Sequence, residues 1–170
     1  MRELIHLFKY RRMKPLARTL STYLVSALPR DQKFDIVVPM PLHWRRKWSR
    51  GFNQATLLSR PVARLCGIPV KNAVRRLRST QTQAGLSNAQ RRENVAGAFR
   101  VRNARVIQGR QVLLIDDVMT TGATASACAL ALKRGGAKSV TLLALARVDR
   151  RLFEPASEKL KAFSRTTEVG

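Results

Sequence analysis

Leucines at positions 16, 20, 24 and 28 recur every four residues, a spacing that lines one face of a helix. The pattern predicts an amphipathic helix over 15–28, with Pro15 near its start. Leu4, Ile5 and Phe8 predict another helical turn or two upstream. The β-branched run FDIVVPMPL, stopped by two prolines, reads as a buried strand entering a loop. Ala55, Leu58, Val62 and Leu65 give helical spacing over 52–66, with Pro61 either kinking that helix or shifting its start. Gly67-Ile68-Pro69 reads as a connector. Strands are predicted over 72–77, 98–101, 111–115 and 139–146, and a helix over 123–133 that ends near Gly135-Gly136. Strands that alternate with helices, several of them apolar throughout, predict an α/β fold: an open parallel sheet with helices on both faces.

Between these elements, 78–92 (RSTQTQAGLSNAQRR) is polar and poor in bulky residues, the composition of a mobile loop. Beyond Arg147 the periodicity dissolves into a helical or disordered tail. The chain thus divides into an N-terminal helical segment (1–34), a main domain (35–148) and a tail (149–170). Its 170 residues suffice for one domain with a single core. No apolar run approaches the ~20 residues of a membrane span, and the N-terminus lacks the features of a secretory signal. The expected location is the cytoplasm, with no membrane span. Cys66 and Cys128 lie far apart without metal-site spacing, so both read as buried, inert thiols.

Charge changes this picture. The 33 Lys and Arg against 10 Asp and Glu give a net charge of +23, and no acidic residue occurs between Ile36 and Arg92. Such a field attracts polyanions, although a basic, Arg-rich proteome would produce the same excess. Trp44 and Trp48 are interleaved with Arg45, Arg46 and Lys47. They either form a stacking platform for single-stranded nucleic acid or pack together on one helical face.

Against this background the acidic pair in VLLIDDVMTTGAT (112–124) stands out. Ligands of open parallel sheets bind outside the carboxyl ends of the strands, where Asp116 and Asp117 are expected. The following Thr120-Thr121-Gly122-Ala123-Thr124 offers small side chains, a glycine, hydroxyls and helix-start N–H groups, all suited to an anion. Carboxylates repel a bare phosphate. A ribose 5-phosphate satisfies both halves: its hydroxyls donate to Asp116 and Asp117 while the threonine loop holds its phosphate. A solvated strand end with an N-cap is the plainer alternative.

The same stretch resembles the phosphoribosyl pyrophosphate (PRPP) motif of type I phosphoribosyltransferases. VPMPLHWRRKWSRGFNQA and RSTQTQAGLSNAQRRENVAGAF extend the likeness to the ComF/GntX family of competence-associated, phosphoribosyltransferase-like proteins, over roughly residues 4–147. The RGFNQ string and the spacing of Thr80, Gln83, Leu86, Arg91 and Asn94 are particular to that family. The resemblance implies a type I phosphoribosyltransferase-like fold with its main domain over 35–148. It implies ribose contacts from Asp116 and Asp117, the pair most involved in catalysis, and a 5′-phosphate loop at Thr120–Thr124. It further implies a pyrophosphate loop at Met40 and Pro41, where such enzymes often have a cis peptide, with Arg50 contacting the pyrophosphate. Thr80, Gln83, Arg91 and Asn94 fall on the loop that closes over the site in this fold.

Mg²⁺ is the implied cofactor, carried by PRPP near Asp116 and Asp117. Implied partners are PRPP, single-stranded DNA and competence or DNA-uptake proteins. ComF-like chains usually begin with a four-cysteine zinc segment, which two cysteines cannot form, so no zinc is expected here. The functional expectation is a PRPP-binding protein, linked to DNA uptake, that transfers or senses a phosphoribosyl group. The alternative is a non-catalytic single-stranded-DNA-binding protein on the same fold. No residue marks itself as a general base for an acceptor.

Overall fold

A computed structural model describes residues 16–29, 31–42, 52–78, 95–119 and 121–147. In chain order its elements are α1 (Leu16–Ser26), β1 (Ile36–Pro39), α2 (Gln54–Cys66), β2 (Val74–Arg76) and β3 (Phe99–Val101). A 3₁₀ turn (Ala104–Val106), β4 (Gln111–Met119), α3 (Ala123–Arg134) and β5 (Ser139–Arg147) follow. The expected helical turn at Leu4, Ile5 and Phe8 and the tail over 149–170 lie outside the described residues.

β4 is the central strand of a parallel sheet ordered β1-β4-β5. Its sequence alternates the two sides of the core. Val112 and Leu114 pack with Ile36 and Val38 of β1 and with Ala125, Cys128 and Leu132 of α3. Leu113 and Ile115 face the other way, against Leu20 and Leu24 of α1 and Leu58 and Val62 of α2. All four β4 side chains are fully buried, each worth roughly 1.5–3 kcal/mol relative to exposure. Burial on both faces is why these strands read as unbroken apolar runs rather than alternating ones. The parallel sheet clothed by helices is therefore as expected.

Small residues let α1 and α2 approach. Ser21 and Ser59 are fully buried, and both satisfy their hydroxyls locally. Ser21 Oγ donates to the Ala17 carbonyl at 2.5 Å and lies 3.3 Å from the Leu58 carbonyl on α2. Ser59 Oγ donates to the Ala55 carbonyl at 2.7 Å. α2 runs through Pro61 without ending there, so the Leu57 carbonyl loses its ordinary intrahelical donor.

Three features depart from the sequence reading. β4 and β5 are both nine residues long, and the ladder runs on through Asp116↔Ala144 to Met119↔Arg147. β4 therefore extends four residues past the expected end at Ile115, because β5 supplies partners for Asp116, Val118 and Met119. The connector region after Gly67 contributes to the sheet: Val70 bridges Val37 in parallel, the Val37 N–H donating to the Pro69 carbonyl at 2.9 Å. Finally, β2 and β3 form a separate antiparallel ribbon rather than members of the main sheet. Among the described residues no helix is long and apolar enough to cross a membrane.

Candidate functional site

The carboxyl end of β4 gathers the acidic pair. Asp116 and Asp117 are both half-buried, and each orders the backbone behind it. Asp116 Oδ1 accepts the Asp117 N–H at 2.9 Å, and Asp117 Oδ1 accepts the Val118 N–H at 2.8 Å. Because β4 continues to Met119, the pair sits within the last paired stretch of the strand, not beyond its end. Asp116 also marks its position electrostatically. Burial pushes the Cys128 thiol up to about 12, and the negative charge of Asp116 adds to that rise while Arg76 opposes it. Asp116, Arg76 and the α3 thiol thus share one electrostatic environment.

α3 begins immediately after this strand. Gly122 occupies the N-cap position in the left-handed region (φ +76°, ψ −5°), a conformation costly to any residue with a Cβ. As a glycine it brings no side chain of its own to cap the helix. The Ala123 N–H reaches Thr121 Oγ1 only at 3.5 Å, and the Ser126 N–H begins the regular ladder at the Gly122 carbonyl, 2.8 Å away. Thr121 is exposed, Gly122 and Thr124 are half-buried and Ala123 is buried. The segment can present N–H groups and hydroxyls to an anion at a helix start.

The turn after β1 is held differently. The Met40 N–H donates to the Ile115 carbonyl at 2.8 Å, and its carbonyl accepts from Asn53 Nδ2 at 2.9 Å. Met40 is buried and both of its backbone polar groups are engaged; Pro41 is half-buried and lines a neighbouring cavity. No cis peptide bond occurs among the described residues. Gln54, next to Asn53, is 2% exposed and its Nε2 has no hydrogen-bond partner.

The structure brings together Asp116, Asp117 and the start of α3. It sets Met40 level with them, since β1 and β4 pair Pro39 with Ile115. Thr120 and Arg50 lie outside the described residues. So do Thr80, Gln83, Arg91 and Asn94, and the basic ribbon Trp44, Arg45, Arg46, Lys47 and Trp48. Among the described residues no three His, Cys, Asp or Glu side chains converge as a metal cluster.

Sequence reasoning missed a cavity of about 560 Å³ between α2 and the β2–β3 ribbon, with Arg60, Arg75, Arg76 and Arg102 in its lining. Three of the four lie in the acid-free stretch from Ile36 to Arg92, and Arg102 lies beyond it. Nothing in that stretch said which of its cations would converge.

The described residues thus form a parallel α/β sheet with a carboxylate pair near the end of its central strand and a glycine-opened helix after it. The chain belongs to the phosphoribosyl transferase domain family, whose model matches residues 49–169. It is 37% identical over 153 residues to competence protein F of Haemophilus influenzae, covering 85% of this chain and 66% of that protein. It is 38% identical over 151 residues to the DNA utilization protein YhgH of Escherichia coli K12, again covering 85% and 66%. The chain therefore spans just under two thirds of the length of these relatives, and the expected kinship with the ComF group holds. Among solved structures it resembles the glutamine PRPP amidotransferase from Bacillus subtilis, complexed with ADP and GMP. That match has a TM-score of 0.51 at 20% identity and covers 74% of this chain and 25% of that one. The likeness extends to the fold.

Proposed function

We propose that this protein binds Mg²⁺-PRPP at the carboxyl end of β4 and acts on, or responds to, its phosphoribosyl group in a DNA-uptake or DNA-utilisation pathway. The observation that carries the reading is the half-buried pair Asp116–Asp117 in one continuous run with the left-handed Gly122 that opens α3. The pathway rests on the relatives named competence protein F and DNA utilization protein.

In this reading Asp116 and Asp117 accept hydrogen bonds from the ribose 2′- and 3′-hydroxyls. Thr120, Thr121, Gly122, Ala123 and Thr124 cradle the 5′-phosphate. Met40, Pro41 and Arg50 border the pyrophosphate, and Thr80, Gln83, Arg91 and Asn94 cover the ligand. Two carboxylates are hard oxygen donors of the kind that assist Mg²⁺ bound mainly through phosphates, so the residues present fit that ion. When bound, Mg²⁺ neutralises charge on the leaving pyrophosphate.

The chain's own contribution is positioning. The carboxylates and the threonine loop fix the two ends of the ribose phosphate, which holds C1 in place for an incoming nucleophile. As the C1–O bond to pyrophosphate breaks, the sugar gains positive charge, and the fixed negative charges of Asp116 and Asp117 stabilise it.

Thermal unfolding with and without millimolar Mg²⁺-PRPP tests the site. A ligand bound only by the folded state stabilises it by about 2.7 kcal/mol at a hundred times its Kd. The joint replacement Asp116→Asn, Asp117→Asn is expected to remove the shift. An unchanged melting temperature for the native chain would overturn the assignment. Pyrophosphate release across a panel of nucleobases then separates transfer from sensing.

A further inference from the structure

The loops that enter β4 and β5 meet at the amino end of the sheet, opposite the carboxyl end that carries Asp116 and Asp117. Backbone hydrogen bonds clamp them together. The Gly109 N–H donates to the Gly136 carbonyl at 2.8 Å, and the Lys138 N–H donates to the Arg110 carbonyl at 2.9 Å. The clamp gathers cations from both loops and from the last turn of α3. Arg105, Lys133, Arg134 and Lys138 are exposed, and Arg110 is half-buried. Lys133 Nζ donates to the Lys138 carbonyl at 2.7 Å, which fixes its ammonium on the second loop.

Residues 102–110 and 133–139 contain no acid. One carboxylate borders the patch, that of Asp35, whose Oδ2 accepts the Gln111 N–H at 2.6 Å. Among the described residues none of the five cations forms an ion pair. Lys133 and Arg134 have a local use, since they complement the negative end of the α3 dipole. The dipole does not account for Arg105, Arg110 and Lys138, which stand on the loops.

An apolar side chain stands beside these charges. Leu130 is 51% exposed and lies three and four residues before Lys133 and Arg134, hence on the same face of α3. A bulky apolar group among cations, on a surface stiffened by backbone bonds, matches the interface of an anionic bilayer. Headgroup phosphates take the cations, and the acyl boundary takes the leucine. A nucleic acid matches less well, because residues 102–110 and 130–139 hold no aromatic side chain on which a base could stack.

We propose that the amino end of the sheet docks peripherally on an anionic phospholipid surface, with Arg105, Arg110, Lys133, Arg134 and Lys138 meeting headgroup phosphates and Leu130 entering the interface. The assignment is independent of the PRPP reading. Docking in this way turns the carboxyl end of β4 away from the membrane and leaves it open to solvent.

The test is co-sedimentation of the full chain with vesicles of mixed phosphatidylglycerol and phosphatidylcholine, and with vesicles of phosphatidylcholine alone. Native protein is expected to sediment with the first, to stay in solution with the second, and to be released as salt rises. Each cation near an anionic surface gives roughly a fivefold gain in partitioning, so Arg105→Gln, Arg134→Gln, Lys138→Gln together should weaken binding about a hundredfold. All three positions are exposed, so folding is expected to survive and is checked by the melting temperature. A net charge of +23 itself draws the chain to such vesicles, so a charge-matched control removes three exposed arginines outside the patch: Arg18→Gln, Arg60→Gln, Arg75→Gln. The control should bind about tenfold or more tighter than the patch variant. Leu130→Ser changes no charge and should weaken binding several-fold with the salt dependence unchanged.

Equal losses in patch and control variants would reduce the effect to net charge and overturn the placement. Equal sedimentation with both kinds of vesicle would refute the anionic assignment, and no sedimentation with either would refute the docking. Release by inorganic phosphate beyond that by chloride at the same ionic strength would make the patch a free-phosphate site and overturn the proposal. So would a patch variant that loses an oligothymidylate but keeps the vesicles. The Mg²⁺-PRPP thermal shift should be the same in native chain and patch variant. Native protein that binds vesicles but shows no such shift would count against the PRPP reading alone.

Discussion

Asn53 holds Met40 in place with one end of its carboxamide while capping α2 with the other. Its Nδ2 donates to the Met40 carbonyl at 2.9 Å, and its Oδ1 accepts the Ala55 N–H at 3.0 Å. One side chain thus couples the turn after β1 to the start of the helix that covers the sheet. Asn53→Ala removes an N-cap worth about 1 kcal/mol and also leaves a half-buried carbonyl without its donor. The expected loss is roughly 1–3 kcal/mol, read from the denaturant midpoint. Asn53→Asp keeps the capping acceptor but loses the donor, so it should fall between the native chain and the alanine variant. Equal stability of Asn53→Ala and native protein would refute the coupling.

Cys128 gives the protein an alkaline limit. Burial, reinforced by the charge of Asp116, pushes its thiol up to about 12, against about 8.5 for an unfolded cysteine. The raised pKa means the folded state keeps a proton that the unfolded state releases above that lower value. The stabilisation is full below about pH 8.5 and is lost as pH rises towards 12. The stability–pH slope in that window should be about −1.4 kcal/mol per pH unit from this group, and Cys128→Ala should flatten it. At about pH 8 a disulfide reagent should titrate the half-buried Cys66 in the native state and Cys128 only on unfolding. Burial pushes the Cys66 thiol up as well, so its reaction should be slower than that of a free thiol.

Two glycines should respond to alanine for opposite reasons. Gly135 has ordinary dihedrals (φ −79°), but a Cβ there would stand 2.8 Å from both Ile107 Cδ1 and Val101 Cγ2. Gly135→Ala therefore overpacks the contact between the end of α3 and the ribbon, at an expected cost of about 1–3 kcal/mol. Gly67, the C-cap of α2, has a φ of +66° and nothing within 4 Å of its would-be Cβ. Gly67→Ala costs about 1–2 kcal/mol through backbone strain alone. Restoring space with Ile107→Val should recover part of the Gly135→Ala loss and none of the Gly67→Ala loss. Thermal melts of the two double variants make the comparison.

The sequence was most legible where one physical demand acted alone. Ile36–Val38 and Val112–Ile115 are buried on both sides, so they read as strands without help, and Leu20 and Leu24 marked the helix face that covers them. Legibility failed where tertiary partners decided. β4 continues through Asp116 and Asp117 because β5 is there to pair with it, and no local pattern carries that information. Arg60, Arg75, Arg76 and Arg102 are spread over more than forty positions, and only the packing of α2 beside the ribbon brings them to one cavity. Asn53 stood out only as part of the RGFNQ string, and its hydrogen bonds give it a structural duty.

The two members of the acidic pair should separate in one experiment. Each is proposed to accept from a ribose hydroxyl, and a hydrogen bond to a charged acceptor is worth about 1.5–3 kcal/mol. Asp116→Asn and Asp117→Asn should therefore each weaken Mg²⁺-PRPP binding by roughly tenfold or more, measured by calorimetric titration. Of the two carboxylates, Asp116 is the one that acts on the Cys128 thiol. Removing its charge lowers the folded-state thiol pKa while leaving the unfolded one unchanged. The alkaline loss of stability then begins at the same pH but stops sooner, so its total is smaller. Asp117→Asn should leave that alkaline profile unaltered. A variant pair with weakened PRPP binding but identical alkaline profiles would place the Asp116 carboxylate away from Cys128. A pair with separated profiles and unchanged PRPP affinity would leave the geometry standing and remove the ribose from it.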